Sequence, residues 1–98
     1  MSFESILSDV KSRATNASTL GAKLKFDFGD QKIFLDGSGS ENVVSTADDD
    51  ADCTITISLK DFEALLNGEL NPMMAFMMGK VKVKGDMGIA MKLQSLVR

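Results

Sequence analysis

The hydrophobic residues near the start of the chain recur at the spacing of an amphipathic helix. One face of this segment carries the apolar residues Phe3, Ile6, Leu7, Val10, Ala14 and Ala17. Ser2 stands in the position of an N-cap residue. The pattern therefore predicts a helix over residues 3–15.

Further along, apolar and polar residues alternate with the period of half-buried strands. The alternating segments lie at residues 20–28, 53–59 and 80–84, and two short apolar segments at 33–35 and 43–44 continue the series as further strands. Turn-forming residues separate them at 29–30, 36–40 and 48–52. The sequence therefore predicts five short strands.

Capping residues bound three more predicted helices. Ser58 and Asp61 have capping-box spacing at the start of a two-turn helix. Asn71-Pro72 has the N-cap and N1 pattern that begins a third helix, and a glycine follows each of these two helices. Asp86 caps a fourth helix. Its apolar stripe contains Ile89, Leu93, Leu96 and Val97, with Met87 and Met91 beside it.

The order of elements indicates the fold class. One helix, four strands, two helices, one strand and one helix is an α+β order, and we expect one domain over residues 1–98. Short turns join the first strands, so most strand pairs should be antiparallel. The two helices before the fifth strand are long enough to form a crossover.

The third helix, over residues 72–78, contains no polar side chain. Its large residues Met73, Met74, Phe76, Met77 and Met78 cover an arc of about 200°, with Met77 near the centre. One interpretation is an ordinary buried helix. The other is the wall of an adaptable apolar cavity, because methionine is unbranched and fits varied apolar partners. Four methionines in six positions favour the cavity wall, and we expect Met77 to point between helix and sheet.

Composition excludes several function classes. The formal net charge is −3, so the basic surplus of a nucleic-acid-binding protein is absent. The chain has no histidine, and its single Cys53 continues the alternation of a strand, which places it in the core. No nucleophile–base pair can be assembled from the residue spacing. We therefore expect no enzymatic activity, no cofactor and no nucleic-acid partner.

Two charged clusters have an ordinary and a functional interpretation. Three aspartates at alternate positions from Asp48 resemble a calcium loop, but Cys53 and Leu59 stand where glycine and glutamate are needed. We interpret this segment as a solvated turn without metal. The lysines of the fifth strand, Lys80, Lys82 and Lys84, either keep a sheet edge soluble or contact anionic lipid headgroups.

The first residues do not form a signal peptide. Glu4 and Asp9 stand where a basic segment would lead into an apolar run, and the longest wholly apolar run, residues 73–78, is too short to span a bilayer. These features predict a cytoplasmic protein.

Particular segments of the second half carry a family resemblance. They are LLNGELNP at 65–72, AFM at 75–77, VKVKGDM at 81–87 and AMKL at 90–93. Together they resemble the lipid-transfer domain of sterol carrier protein type 2. The match is specific from about residue 59 to residue 96, and from residue 20 onward the pattern is compatible.

The resemblance implies a five-stranded sheet with helices packed on one face and an apolar tunnel between them. It implies a tunnel ligand that is a fatty acid, an acyl-CoA, a phospholipid or a sterol. Residues 76–80 are similar to the segment that forms the tunnel wall in this family, and residues 90–93 are similar to the helix that covers it. Candidate ligand-binding residues are Phe26, Ile57, Phe62, Leu66, Met73, Met74, Phe76, Met77, Met78, Val83, Met87 and Met91.

The sequence thus predicts an intracellular lipid carrier that makes transient contact with membrane surfaces. Burial of an acyl chain gains roughly 0.8 kcal/mol per methylene and requires no catalytic residue. The alternative hypothesis is an interaction or helper module. In that case the methionine-rich face would bind a protein partner or present acyl substrates to a separate enzyme.

Overall fold

A computed structural model of the protein describes residues 2–92. The elements follow the predicted order and are α1 (Phe3–Asn16), β1 (Lys23–Asp27), β2 (Lys32–Asp36), β3 (Val43–Ser45), β4 (Cys53–Thr56), α2 (Leu59–Leu66), α3 (Pro72–Met77), β5 (Lys82–Gly85) and α4 (Met87–Met91).

The strands form one mixed sheet in the order β3-β2-β1-β4-β5. The pairs β1–β2, β2–β3 and β4–β5 are antiparallel, whereas β1 and β4 are parallel. The parallel pair arises because the chain leaves β3 at one edge and crosses back to the far side of β1. The predicted α+β fold with a five-stranded, mostly antiparallel sheet is confirmed.

One face of the sheet carries the core. Alternate residues of the strands, such as Leu24 and Phe26 in β1, are fully buried on this face. Each helix adds buried residues to the same cluster, so the helices pack on one face as expected. The rings of Phe26 and Phe62 illustrate this contact between sheet and α2, since their centroids lie 4.8 Å apart.

The acidic turn crosses the opposite face of the sheet. The ammonium group of Lys25 donates to Asp48 at 2.8 Å, and this hydrogen bond lowers the pKa of the Asp48 carboxyl. The backbone N–H of Lys23 donates to Oδ2 of Asp52 at 2.9 Å. Asp48 and Asp52 are exposed, as expected of a solvated turn, but they also attach the crossing segment to β1.

The predicted helix caps are present as hydrogen bonds. Oγ of Ser58 accepts from the backbone N–H of Asp61 at 3.1 Å, and Oδ1 of Asn71 accepts from the N–H of Met73 at 2.8 Å. The fourth strand ends at Thr56 rather than at residue 59, because the Ser58 cap starts α2 immediately afterwards.

The last predicted helix is described only in part. Its cap is confirmed, since Oδ1 of Asp86 accepts from the N–H of Gly88 at 2.8 Å. Its stripe residues Leu93, Leu96 and Val97 lie outside the described residues. Between residues 2 and 92, no helix has the length and apolar character needed to cross a membrane.

Asn42 joins the end of α1 to the loop that precedes β1. Its Nδ2 donates to the carbonyl oxygens of Ala14 at 3.0 Å and Ser18 at 3.1 Å. Its Oδ1 accepts from the backbone N–H of Leu20 at 2.9 Å. One side chain therefore satisfies backbone groups of three separate residues.

We predict that Asn42→Ala lowers the free energy of unfolding by about 2–3 kcal/mol, because the substitution removes three hydrogen bonds to the backbone, two of which are partly buried. Urea unfolding followed by circular dichroism measures this change. The control is Asn67→Ala, whose side chain makes one exposed hydrogen bond to Glu69 at 3.5 Å and should cost less than about 0.5 kcal/mol. Equal costs for the two variants would contradict the assigned role of Asn42.

Candidate functional site

An apolar cavity of about 100 Å³ lies between the sheet and the last two helices. Its walls are formed by Ile55, Leu65, Pro72, Met73, Phe76, Val81, Val83, Met87, Ala90 and Met91. None of these ten side chains is polar. Met73, Phe76, Met87 and Met91 are each about half exposed, so together they form a rim at which the cavity meets solvent.

A close approach between β4 and β5 positions one side of the cavity. Gly85 has φ +107°, and a Cβ at this position would overlap the carbonyl oxygen of Asp52. The same oxygen accepts from the backbone N–H of Asp86 at 3.1 Å, and Asp86 in turn caps α4. The glycine therefore allows α4 to begin directly beside the cavity.

The turn after α3 positions another side. The N–H groups of Gly79 and Lys80 donate to the carbonyl oxygens of Phe76, at 3.1 Å, and Ala75, at 2.9 Å. This pattern is a Schellman motif, and Gly79 takes the left-handed conformation that the motif requires, with φ +76°. The reversed chain then leads into Val81 and Val83, whose side chains line the cavity.

The orientation of α3 differs from the expected one. Ala75 is fully buried against the core, whereas Met77 is 78% exposed and does not line the cavity. Successive helical residues are 100° apart, so Met77 lies about 200° from Ala75 and points to solvent. The expectation that Met77 points between helix and sheet is therefore wrong. The helix packs on the core through Ala75, its smallest side chain, and the centre of the methionine arc, at Met77, faces solvent.

The candidate ligand-binding residues fall into three groups. Those that line the cavity are Met73, Phe76, Val83, Met87 and Met91. Those buried in the core away from the cavity are Phe26, Ile57, Phe62 and Leu66. Those largely exposed outside it are Met74, Met77 and Met78.

Four lining residues escaped the sequence analysis: Ile55, Leu65, Pro72 and Val81. A fifth, Ala90, lies in the segment 90–93 that was expected to cover the tunnel, although it was not among the candidate ligand-binding residues. Strand alternation contained a signal for two of them. Ile55 stands opposite Val83 in the β4–β5 pairing, and Val81 precedes Val83 by two positions. A strand face that contributes one lining residue should contribute its neighbours on that face as well.

The cavity can hold an apolar group by burial alone. Among the described residues, its walls contain only apolar side chains, so a polar headgroup would find its hydrogen-bond partners outside these walls, at the rim. The Cys53 thiol is fully buried and does not line the cavity, and burial raises its pKa, which the charge of Asp86 raises further. In the part of the chain that the structure describes, no three carboxylate or thiol side chains form a metal-binding group.

Comparisons with known proteins identify relatives along nearly the whole chain. The sequence model described as the SCP-2 sterol transfer family matches residues 3–98. The chain is 51% identical to sterol carrier protein 2 from Homo sapiens over 59 residues. This match covers 60% of this chain and 11% of that protein. It is 36% identical over 91 residues to hydroxysteroid dehydrogenase-like protein 2 from Homo sapiens, covering 93% of this chain and 22% of that protein.

A solved structure supports the same relationship. The sterol carrier protein domain 2 of Helicoverpa armigera superimposes with a TM-score of 0.76 and 26% sequence identity. The match covers 96% of this chain and 84% of that one. The curated relatives are much longer than this match, since the chain spans about a tenth to a fifth of their length.

The positions of Met77 and Ile57 predict unequal effects of truncation. Ile57 is 3% exposed in the core, so Ile57→Ala should lower the free energy of unfolding by about 2–5 kcal/mol. Met77→Ala should change it by less than about 0.5 kcal/mol, because its side chain is mostly in solvent. Chemical denaturation of both variants tests this. A large loss in Met77→Ala would show that the residue packs inside.

Proposed function

Because the chain belongs to the SCP-2 sterol transfer family, we propose that it carries a lipid whose apolar part occupies the cavity between α3, α4 and the sheet. The observation that supports this proposal is the wall itself, in which all ten lining residues are apolar and four of them border solvent. Residues 1–98 act in this proposal as one lipid-binding domain.

The dimensions and flexibility of the cavity favour an acyl chain as ligand. An engineered cavity of about 150 Å³ holds one benzene molecule, so about 100 Å³ admits only part of a lipid before the wall moves. Three of the four rim residues are methionines, which can rearrange around a narrow, flexible chain. A fused sterol ring system requires a larger displacement. We therefore propose a fatty acid, an acyl-CoA or a phospholipid, with sterol as the competing ligand.

The carrier role requires no catalytic step. Each methylene that leaves water gains roughly 0.8 kcal/mol, from which the costs of association are subtracted. We propose that the chain acts in the cytoplasm as a non-enzymatic carrier that meets membranes transiently. The activities of the longer relatives are not assigned to it. The observation that favours the alternative, an interaction or helper module, is that Met74, Met77 and Met78 are exposed outside the cavity.

We predict saturable binding of a fluorescent long-chain fatty acid with a stoichiometry near one. Ala90→Phe should weaken this binding at least about tenfold, because the added ring occupies the cavity from α4. Fluorescence titration measures the affinity. Val43→Phe is the control, since Val43 is 61% exposed on the opposite edge strand and the same ring there should leave the affinity unchanged.

Two results would contradict the proposed site. One is a titration of the unchanged protein without a saturable signal. The other is an Ala90→Phe variant that melts at the normal temperature and binds the fatty acid normally. A parallel titration with a fluorescent sterol distinguishes the ligands, because stronger sterol binding would overturn the preference for acyl chains.

A further inference from the structure

The outward surface of α3 is apolar and uncovered by any described part of the chain. Met74, Met77 and Met78 are 54%, 78% and 60% exposed. We call these three residues the methionine tip. None of them lines the cavity, but Met73 and Phe76 of the same helix form part of its rim. The tip and the cavity opening therefore belong to one continuous apolar surface.

The charged residues next in sequence to the cavity wall are mainly lysines. The charged residues adjacent in sequence to a lining residue are Lys80, Lys82, Lys84, Asp86 and Lys92. These sequence neighbours, four lysines and one aspartate, sum to +3 in a chain whose net charge is −3. Asp61 lies 3.8 Å from Lys80, and the Lys92 ammonium donates to the carbonyl oxygen of Leu20 at 2.9 Å, so Lys82 and Lys84 are the main positive charges beside the cavity. The negative surplus lies elsewhere, and four aspartates of it are in the crossing segment between β3 and β4.

The lysines can reach an approaching surface. Lys82 and Lys84 are exposed on β5, which is the edge strand next to the cavity. They flank Val83, whose side chain lines the cavity, so their own side chains begin on the other face of the sheet. Lysine stems are long and flexible, and at an edge their ammonium groups can turn toward the rim. The ammonium of Lys80 forms an ion pair with the Asp61 carboxylate at 3.8 Å, so an anionic headgroup would compete with Asp61 for this lysine.

An apolar tip with a positive border fits one kind of surface. Anionic lipid headgroups attract the lysines, and the acyl layer beneath them accepts apolar side chains. Building on the carrier function above, we propose that the methionine tip inserts into an anionic membrane, so that the cavity opening faces the bilayer. An acyl chain can then move between bilayer and cavity without exposing its methylenes to water. Exposure of each methylene would raise the free energy barrier to transfer.

A reporter at the tip tests the proposed orientation. The chain contains no tryptophan, so Met77→Trp introduces a single indole at the most exposed position of the tip. The variant of the 98-residue chain is mixed with phosphatidylcholine vesicles with and without phosphatidylserine, including vesicles whose acyl chains are brominated. We expect a blue-shifted emission, quenched by the brominated chains, only when phosphatidylserine is present. Raising the salt from about 0.1 M to about 1 M should abolish it, because screening then acts within about 3 Å.

Val43→Trp is the matched control. Val43 is also an exposed apolar residue, at 61%, but it lies on the edge strand farthest from β5. Its indole should stay unquenched under the same conditions. Equal quenching of both indoles, or none in Met77→Trp, would overturn the proposal. A blue shift that depends on protein concentration without vesicles would instead indicate a second copy of the chain and would also overturn it.

A loss-of-function variant separates docking from ligand binding. The triple substitution of Met74, Met77 and Met78 by Gln should leave fatty-acid affinity in solution unchanged, since none of these residues lines the cavity. Transfer of fluorescent fatty acid between anionic vesicles should slow at least about tenfold. Substituting Lys80, Lys82 and Lys84 by Gln should slow transfer only at low salt.

The outcomes distinguish the carrier function from the docking surface. Failure of the unchanged protein to bind fatty acid in solution would overturn the carrier function itself. Normal binding with an unaltered transfer rate in the methionine triple variant would overturn only the docking surface. A triple variant that transfers slowly but also binds weakly in solution would place the tip in the ligand site, which contradicts the proposal.

Discussion

The contact of Ala75 with the core determines the candidate site. Helix α3 has six residues, and Ala75 is its one fully buried side chain. Because a single methyl group separates the helix backbone from the core, the large neighbouring side chains cannot be buried beside it. Met73 and Phe76 stand at the edges of the contact and frame the cavity, while the methionine tip faces solvent. One packing contact therefore accounts for both the cavity opening and the apolar surface beside it.

Most of the fold was predictable because its signals are local. The caps of Ser58, Asn71 and Asp86 each depend on a side chain and an N–H group two or three residues away. Strand alternation similarly depends on neighbouring positions. The parallel pairing of β1 with β4 had no such signal, since it joins segments separated by two other strands. The close approach at Gly85 was hidden for the same reason, because its partner Asp52 lies in a different segment.

The site was less predictable than the fold because an apolar side chain can be buried for two different reasons. An apolar residue can be buried by protein or by ligand, and residue type alone does not separate these cases. Phe26 and Phe62 were candidates for ligand contact, but their rings already pack against each other at 4.8 Å. The methionine arc of α3 was assigned to the interior on the assumption that the largest apolar surface faces inward. That assumption fails when a small residue allows closer packing.

The methionines themselves provide the most direct measurement of the central claim. In protein labelled with carbon-13 at the methionine methyl groups, nuclear Overhauser effects to a bound fatty acid report which side chains surround the acyl chain. The account predicts such contacts for Met73, Met87 and Met91, which line the cavity, and none in solution for Met74, Met77 and Met78. Contacts confined to the methionine tip, or a bound acyl chain that contacts none of the cavity methionines, would contradict it.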